Sequence, residues 1–213
     1  MSLIEVRQLT SSSRLGLWRI EQTDIPSGTE LSRTSGVSVH LSPRQRERQA
    51  VEQLLRAMTG DPSASVGHEA SGKPFVQLAG QLQEVPSVHP QEEPALPHIS
   101  ISHTKGYAAL ILSDAEEVGI DIEYLSDRVE RIAPRFIRYD EHAETTLQKL
   151  LLWSAKETVY KLFSEDALGF FDMRLLTFAD GLMRVENIKR KIIVDVCYET
   201  TDDYVLTYAV LPF

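Results

Sequence analysis

The stretch VGIDIEY, residues 118–124, constrains the fold of this chain more than any other. Val118, Ile120 and Ile122 alternate with Gly119, Asp121 and Glu123, a period of two that belongs to a strand with one apolar face and one face bearing carboxylates. Asp121 and Glu123 therefore point the same way. Downstream, LLLWSAKETVYKLF repeats at helical spacing. Trp153, Glu157 and Lys161 fall at i, i+4 and i+8 along one side, with Lys156 and Tyr160 beside them. Leu150, Leu151, Leu152, Val159, Leu162 and Phe163 supply enough apolar surface to seat that helix on a core. Three carboxylates with no histidine pair or cysteine cluster nearby suit an oxygen-seeking cation such as Mg²⁺, an ion commonly shared with the phosphates of a ligand. The lysines of the helix suit those phosphates.

The remaining elements follow from period and punctuation. SLIEVRQL and RLGLWRIEQ alternate as strands, with the serines at 11–13 as their turn. Ser42 and Pro43 open a helix through RQRERQAVEQLLRAMT that stops at Gly60. Its Arg44, Arg46, Arg48 and Arg56 are as suited to pairing with glutamates as to meeting phosphate. Gly72, Lys73 and Pro74 form a turn into a short strand, and the proline-rich stretch 79–97 reads as an exposed loop. HISISH and YAALILS form a hairpin, with VGIDIEY expected as the third strand of the same meander. RVERIAPRFI is a short helix broken near Pro134, and a long helix is expected from Asp140. RLLTF, LMRVENI, KIIVDVCYE and DYVLTYAVL complete a second antiparallel set. The order of elements predicts an α+β fold in two pseudo-symmetric halves, residues 1–113 and 114–213, each an antiparallel sheet packed against a long helix.

Composition narrows the partners. With 213 residues, 42% of them hydrophobic, the chain can bury a substantial core as one domain or two small ones. A net charge of −9 argues against nonspecific nucleic-acid binding and against adhesion to anionic membranes. Any anionic ligand must meet a local basic patch. Cys197 is the single cysteine, which excludes an intramolecular disulfide and a cysteine-based zinc site. No run approaches the roughly 18 apolar residues of a membrane helix, and MSLIEVRQL lacks a signal-type pattern, so a soluble, cytoplasmic protein is expected.

Four motifs carry a resemblance. GKP at 72–74, ISISHTKGY at 99–107, VGIDIE at 118–123 and WSAKETVYK at 153–161 stand in the order and approximate spacing of the 4′-phosphopantetheinyl transferase superfamily. The length resembles its longer, surfactin-synthetase-activating type, a monomer of two pseudo-symmetric halves, more than the short trimeric holo-acyl-carrier-protein synthase type. The resemblance implies transfer of the phosphopantetheine arm of coenzyme A to a serine of an acyl or peptidyl carrier protein, leaving adenosine 3′,5′-bisphosphate. Asp121, Glu123 and Glu157 match the family's magnesium ligands. Lys73, Ser102 and His103 match positions that hold the coenzyme A phosphates, with Lys156 and Lys161 on the pyrophosphate side, and Arg44 and Arg48 are the candidates for the 3′-phosphate. On this reading Glu157 is the base for the attacking serine and Lys161, one helical turn on, protonates the departing phosphate. Trp153 and Tyr160 read as packing residues, and His40, His68, His89, His98 and His142 receive no function. A carrier protein is usually acidic, so a chain of this net charge must dock one on a basic or apolar patch. Two other readings use the same residues: a Mg²⁺-dependent phosphoester or nucleotide hydrolase, and a noncatalytic binder of coenzyme A or a carrier protein.

Overall fold

Ser42 opens the first helix, α1 (Pro43–Thr59), by a reciprocal cap. Its Oγ accepts the Gln45 N–H at 3.3 Å while Gln45 Oε1 accepts the Ser42 N–H at 2.8 Å, and Gly60 closes the far end in the left-handed region. The computed structural model describes residues 1–21, 41–78 and 96–212. The loop expected at 79–97 therefore lies, from 79 to 95, outside the described residues.

The strands are β1 (Ser2–Gln8), β2 (Ser13–Arg19), β3 (Ser65–His68), β4 (Pro74–Gln77), β5 (His98–Thr104), β6 (Tyr107–Ser113) and β7 (Glu116–Tyr124), followed by β8 (Met173–Ala179), β9 (Leu182–Asn187), β10 (Ile192–Thr200) and β11 (Tyr204–Pro212). They form antiparallel sheets in the orders β1-β2-β6-β5 and β7-β11-β10-β9-β8, with β3 and β4 as a separate hairpin. The fold is α+β. Helix α1 covers one face of the first sheet, setting Ala50, Leu54, Leu55 and Met58 against Ala108, Leu110 and Leu112. The other face of that sheet, with Leu15, Leu17, Ala109 and Ile111, meets Val118, Ile120, Ile122 and Leu206 of the second. A second long helix, α3 (Thr146–Leu162), covers the far face of the second sheet. Each fully buried aliphatic side chain in these layers contributes about 1.5–3 kcal/mol. Among the described residues, no helix is long and apolar enough to cross a membrane.

Two expectations are corrected. VGIDIEY is not the third strand of a meander: β7 pairs with β11 along its whole length, Asp121 opposite Thr207. Its other edge lies beside β5, running in the same direction, and hydroxyls take the place of a backbone ladder there. Ser100 Oγ accepts the Ile120 N–H and Thr104 Oγ1 accepts the Tyr124 N–H, both at 3.1 Å. The long helix starts at Thr146 rather than Asp140, because Thr145 and Gln148 form the same reciprocal cap as in α1. Asp140 instead accepts a hydrogen bond from Arg138, and a short helix, α2 (Arg128–Ile132), ends in a single 3₁₀ turn at Pro134 as expected. Where the chain passes from β6 to β7, Glu116 collects the hydroxyls of Ser13, Ser12, Thr10 and Ser113, donors that hold its carboxyl below the usual range.

The glycine of VGIDIE has a packing reason. A Cβ at Gly119 would stand 2.4 Å from the carbonyl oxygen of Thr158, so only glycine lets the backbone of α3 lie this close to β7. Gly119→Ala should lose about 1–3 kcal/mol or more in equilibrium unfolding, since the obstruction is backbone and cannot rotate away. An unchanged denaturation midpoint would show that α3 shifts without cost.

Candidate active site

The apolar face of β7 is spent on the seam between the sheets, which leaves Asp121 and Glu123 facing α3. Asp121 is 4% exposed and is held from both halves of the chain. Its Oδ1 accepts Ser102 Oγ from β5 at 2.9 Å and Lys161 Nζ at 2.8 Å, and its Oδ2 accepts Ser154 Oγ at 2.9 Å. Lys161 also donates to the Ile120 carbonyl at 2.8 Å. Glu123 accepts the indole N–H of Trp153 at 2.9 Å. The Trp153 ring is clasped by Phe136 and Phe170, with centroids 5.2 and 4.7 Å away. Burial pushes the Glu123 carboxyl up to about 7, the charges of Asp121 and Glu157 add to the rise, and the Trp153 bond opposes it. Burial, and then the charge of Asp121, raises Glu157 as well, with Lys161 opposing. The cluster carries more negative charge than one lysine offsets.

Beside it opens a cleft of about 1140 Å³. Arg44, Glu47, Arg48, Val51 and Glu52 of α1 line one wall at i, i+3, i+4, i+7 and i+8, a single helical face. The β3–β4 hairpin supplies His68 and Lys73, and Gly72, at φ +88, makes the left-handed turn that sets Lys73 at the rim. His98 and His103 enter from β5, Tyr160 and Lys161 from α3. Lys161 thus borders the cleft while bonding into the carboxylate cluster. Several basic residues of the cleft have carboxylate neighbours: Arg48 donates to Glu52 at 3.2 Å, Glu47 stands 3.5 Å from His103, and Glu117 stands 3.9 Å from Lys73 and 3.3 Å from His98.

Arg44, Arg48, Lys73, His103 and Lys161 are therefore brought to one cleft; Asp121, Glu123 and Glu157 interact with one another but do not line it, and Lys161 is the link between the two through its bond to Asp121. Ser102 is not on the cleft wall; its hydroxyl is committed to Asp121. Lys156 departs furthest from expectation. It is 0% exposed and donates to Glu141 and the Phe136 carbonyl at 2.7 Å each, and to the Phe170 carbonyl at 3.3 Å. Burial lowers its pKa, with Glu141 pulling the other way. Its place in the helix puts it one position from Glu157, hence around the helix and into the core that α3 shares with the loop before it. Trp153, expected to pack, does so against Phe136 and Phe170 and also donates its indole N–H to Glu123. Glu117 and His98, given no function by the sequence, meet across the β5–β7 seam.

Residues 117–209 match the family model of the 4′-phosphopantetheinyl transferase superfamily. The match takes in Asp121, Glu123, Glu157 and Lys161 and supports a transferase of the phosphopantetheinyl type. The walls of the cleft contributed by α1 and the β3–β4 hairpin lie outside the matched residues. No curated protein matches the chain.

The donor chemistry at the cluster fits a hard divalent cation: oxygen ligands only, from carboxyls whose pKa values are raised partly by one another's charge, a repulsion that a cation would relieve. Among the described residues no three His, Cys, Asp or Glu side chains converge into a finished ligand set. Asp121 has both oxygens engaged by Lys161 and the two serines.

Two outcomes follow from this arrangement. Glu123 has a folded pKa of about 7 against 4.5 for an unperturbed glutamate, so the folded state holds a proton that the unfolded state has lost between those values. Stability from this group is present at low pH and falls as pH rises through that window. In chelator, Glu123→Gln should melt a few degrees above the native protein at pH 8 and show no advantage at pH 5; equal melting curves at both would remove the charge argument. Lys156→Ala strands Glu141 in the core and should cost about 3–5 kcal/mol in denaturant unfolding. A stable variant with weakened ligand binding would instead return Lys156 to the cleft.

Proposed function

We propose that this protein transfers the 4′-phosphopantetheine group of coenzyme A to a serine of an acyl or peptidyl carrier protein, releasing adenosine 3′,5′-bisphosphate. The observation that carries this reading is Lys161. It joins a buried carboxylate cluster to a cleft edged by Arg44, Arg48, Lys73 and His103, and it lies with the three carboxylates inside the segment 117–209 that matches the superfamily model.

The residues divide the work. Lys73 and His103 hold phosphate oxygens of coenzyme A, and Arg44 or Arg48 the 3′-phosphate. Lys161 faces the pyrophosphate. Asp121, Glu123 and Glu157 would hold Mg²⁺, which when bound supplies charge neutralisation at the pyrophosphate. Glu157, with its raised pKa, accepts the proton of the carrier serine as its oxygen forms a bond to the β-phosphorus. The bond from that phosphorus to the bridging oxygen breaks, and Lys161 gives the leaving oxygen a proton. Two sheets, each with its own long helix in one chain, support the longer surfactin-synthetase-activating type acting as a monomer.

Apo carrier protein incubated with this protein, coenzyme A and Mg²⁺ should gain the mass of one phosphopantetheine arm, and the gain should vanish in chelator. Asp121→Ala and Glu157→Ala should each slow transfer on the order of a hundredfold or more while remaining folded. Coenzyme A cleaved without a mass gain on the carrier would make the protein a hydrolase, and coenzyme A bound but intact across several carriers would make it a binder.

A further inference from the structure

Behind Asp121 lies a run of hydroxyls that joins Ser154 and Thr158 of WSAKETVYK to Thr207 near the end of the chain. Ser154 and Thr158 of α3 and Thr207 of β11 are each 0% exposed. Ser154 Oγ donates to Asp121 Oδ2 at 2.9 Å and lies 2.9 Å from Thr207 Oγ1, which lies 2.6 Å from Thr158 Oγ1. Thr158 Oγ1 also reaches the Thr207 carbonyl at 3.2 Å. Each hydroxyl owns one proton, and an ionised carboxylate only accepts. The proton of Ser154 is committed to Asp121, so Thr207 must donate to Ser154, and Thr158 to Thr207. The hydroxyl-to-hydroxyl contacts are then filled in one direction, from Thr158 through Thr207 and Ser154 to the carboxylate, and the longer 3.2 Å approach of Thr158 Oγ1 to the Thr207 carbonyl is left as the weaker share of the same proton.

The two oxygens of Asp121 are thereby fixed from opposite sides. Oδ1 is set by Ser102 and Lys161, Oδ2 by the hydroxyl chain. Thr207 is Asp121's neighbour across the β7–β11 ladder, yet its hydroxyl reaches that carboxylate through α3. A buried chain of this kind is costly to leave half-filled, since a hydroxyl without its partner has no water to turn to. It therefore fixes the plane of the carboxylate rather than merely filling space.

We infer that Thr207 and Ser154 are positioning residues that orient Asp121 for cation binding, an inference that rests on the metal-binding role proposed for that carboxylate. The test uses the full chain with Mn²⁺ as probe, free Mn²⁺ being followed by electron paramagnetic resonance, and transfer kinetics in parallel. Thr207→Val keeps the shape and removes the hydroxyl. It should weaken Mn²⁺ binding about tenfold and lower kcat to a similar degree with KM for coenzyme A unchanged, the size expected when a group orienting a ligand is lost. Thr207→Ser restores the hydroxyl and should restore both. Native-like Mn²⁺ binding in the valine variant, or a serine variant as defective as valine, overturns the inference. Should Thr207→Val fail to fold, Ser154→Ala makes the same comparison. If the native protein binds Mn²⁺ but transfers nothing, the proposed reaction fails alone and the Mn²⁺ series still decides; if it binds no Mn²⁺, the positioning role falls.

Discussion

Where α3 crosses β7, the Thr158 carbonyl occupies the space that a side chain at residue 119 would need, and the site depends on that approach. It brings Lys161 into hydrogen-bond range of both Asp121 and the Ile120 carbonyl, and the Trp153 indole onto Glu123. One absent Cβ thus sets the spacing of Lys161 and Asp121, charged groups 40 residues apart in sequence. The hydroxyl seam between β5 and β7 does the same on the other flank, tying the first sheet to the carboxylate strand through Ser100, Ser102 and Thr104.

The electrostatics have two parts joined at Lys161. On one side, carboxylates are crowded and partly desolvated, so their protons are held more tightly than usual. On the other, cations line a cleft in which glutamates already stand beside them. An acidic protein can in this way present a local surface fit for an anionic ligand without a basic net charge. The same glutamates are displaced or retained only at some cost to the ligand, so affinity reflects the difference rather than the count of cations.

Much of this was legible in the chain. Period two in VGIDIEY puts Asp121 and Glu123 on one face, and the i, i+4 step from Glu157 to Lys161 puts both on one side of a helix. The caps at Ser42 and Thr145 rest on contacts within four residues, although the second was misplaced by several residues because the acidic run before it reads equally well as a first helical turn. Lys156 was misread for a related reason: in a helix that is apolar on more than one side, spacing does not say which polar residue is turned inward.

Local periodicity and capping chemistry belong to the sequence alone, because they depend on neighbours a few residues away: the elements, the shared face of the carboxylates and the amphipathic helix beside them. The pairing of β7 with β11, the joining of β5 to β7 through side-chain hydroxyls, the burial of Lys156 on Glu141 and the chain from Thr158 to Asp121 were decided by tertiary structure. Each joins residues between 15 and 96 positions apart, matching donors to acceptors that no local pattern brings together, and only the packed layers fix which of the available partners is near enough to satisfy a buried polar group.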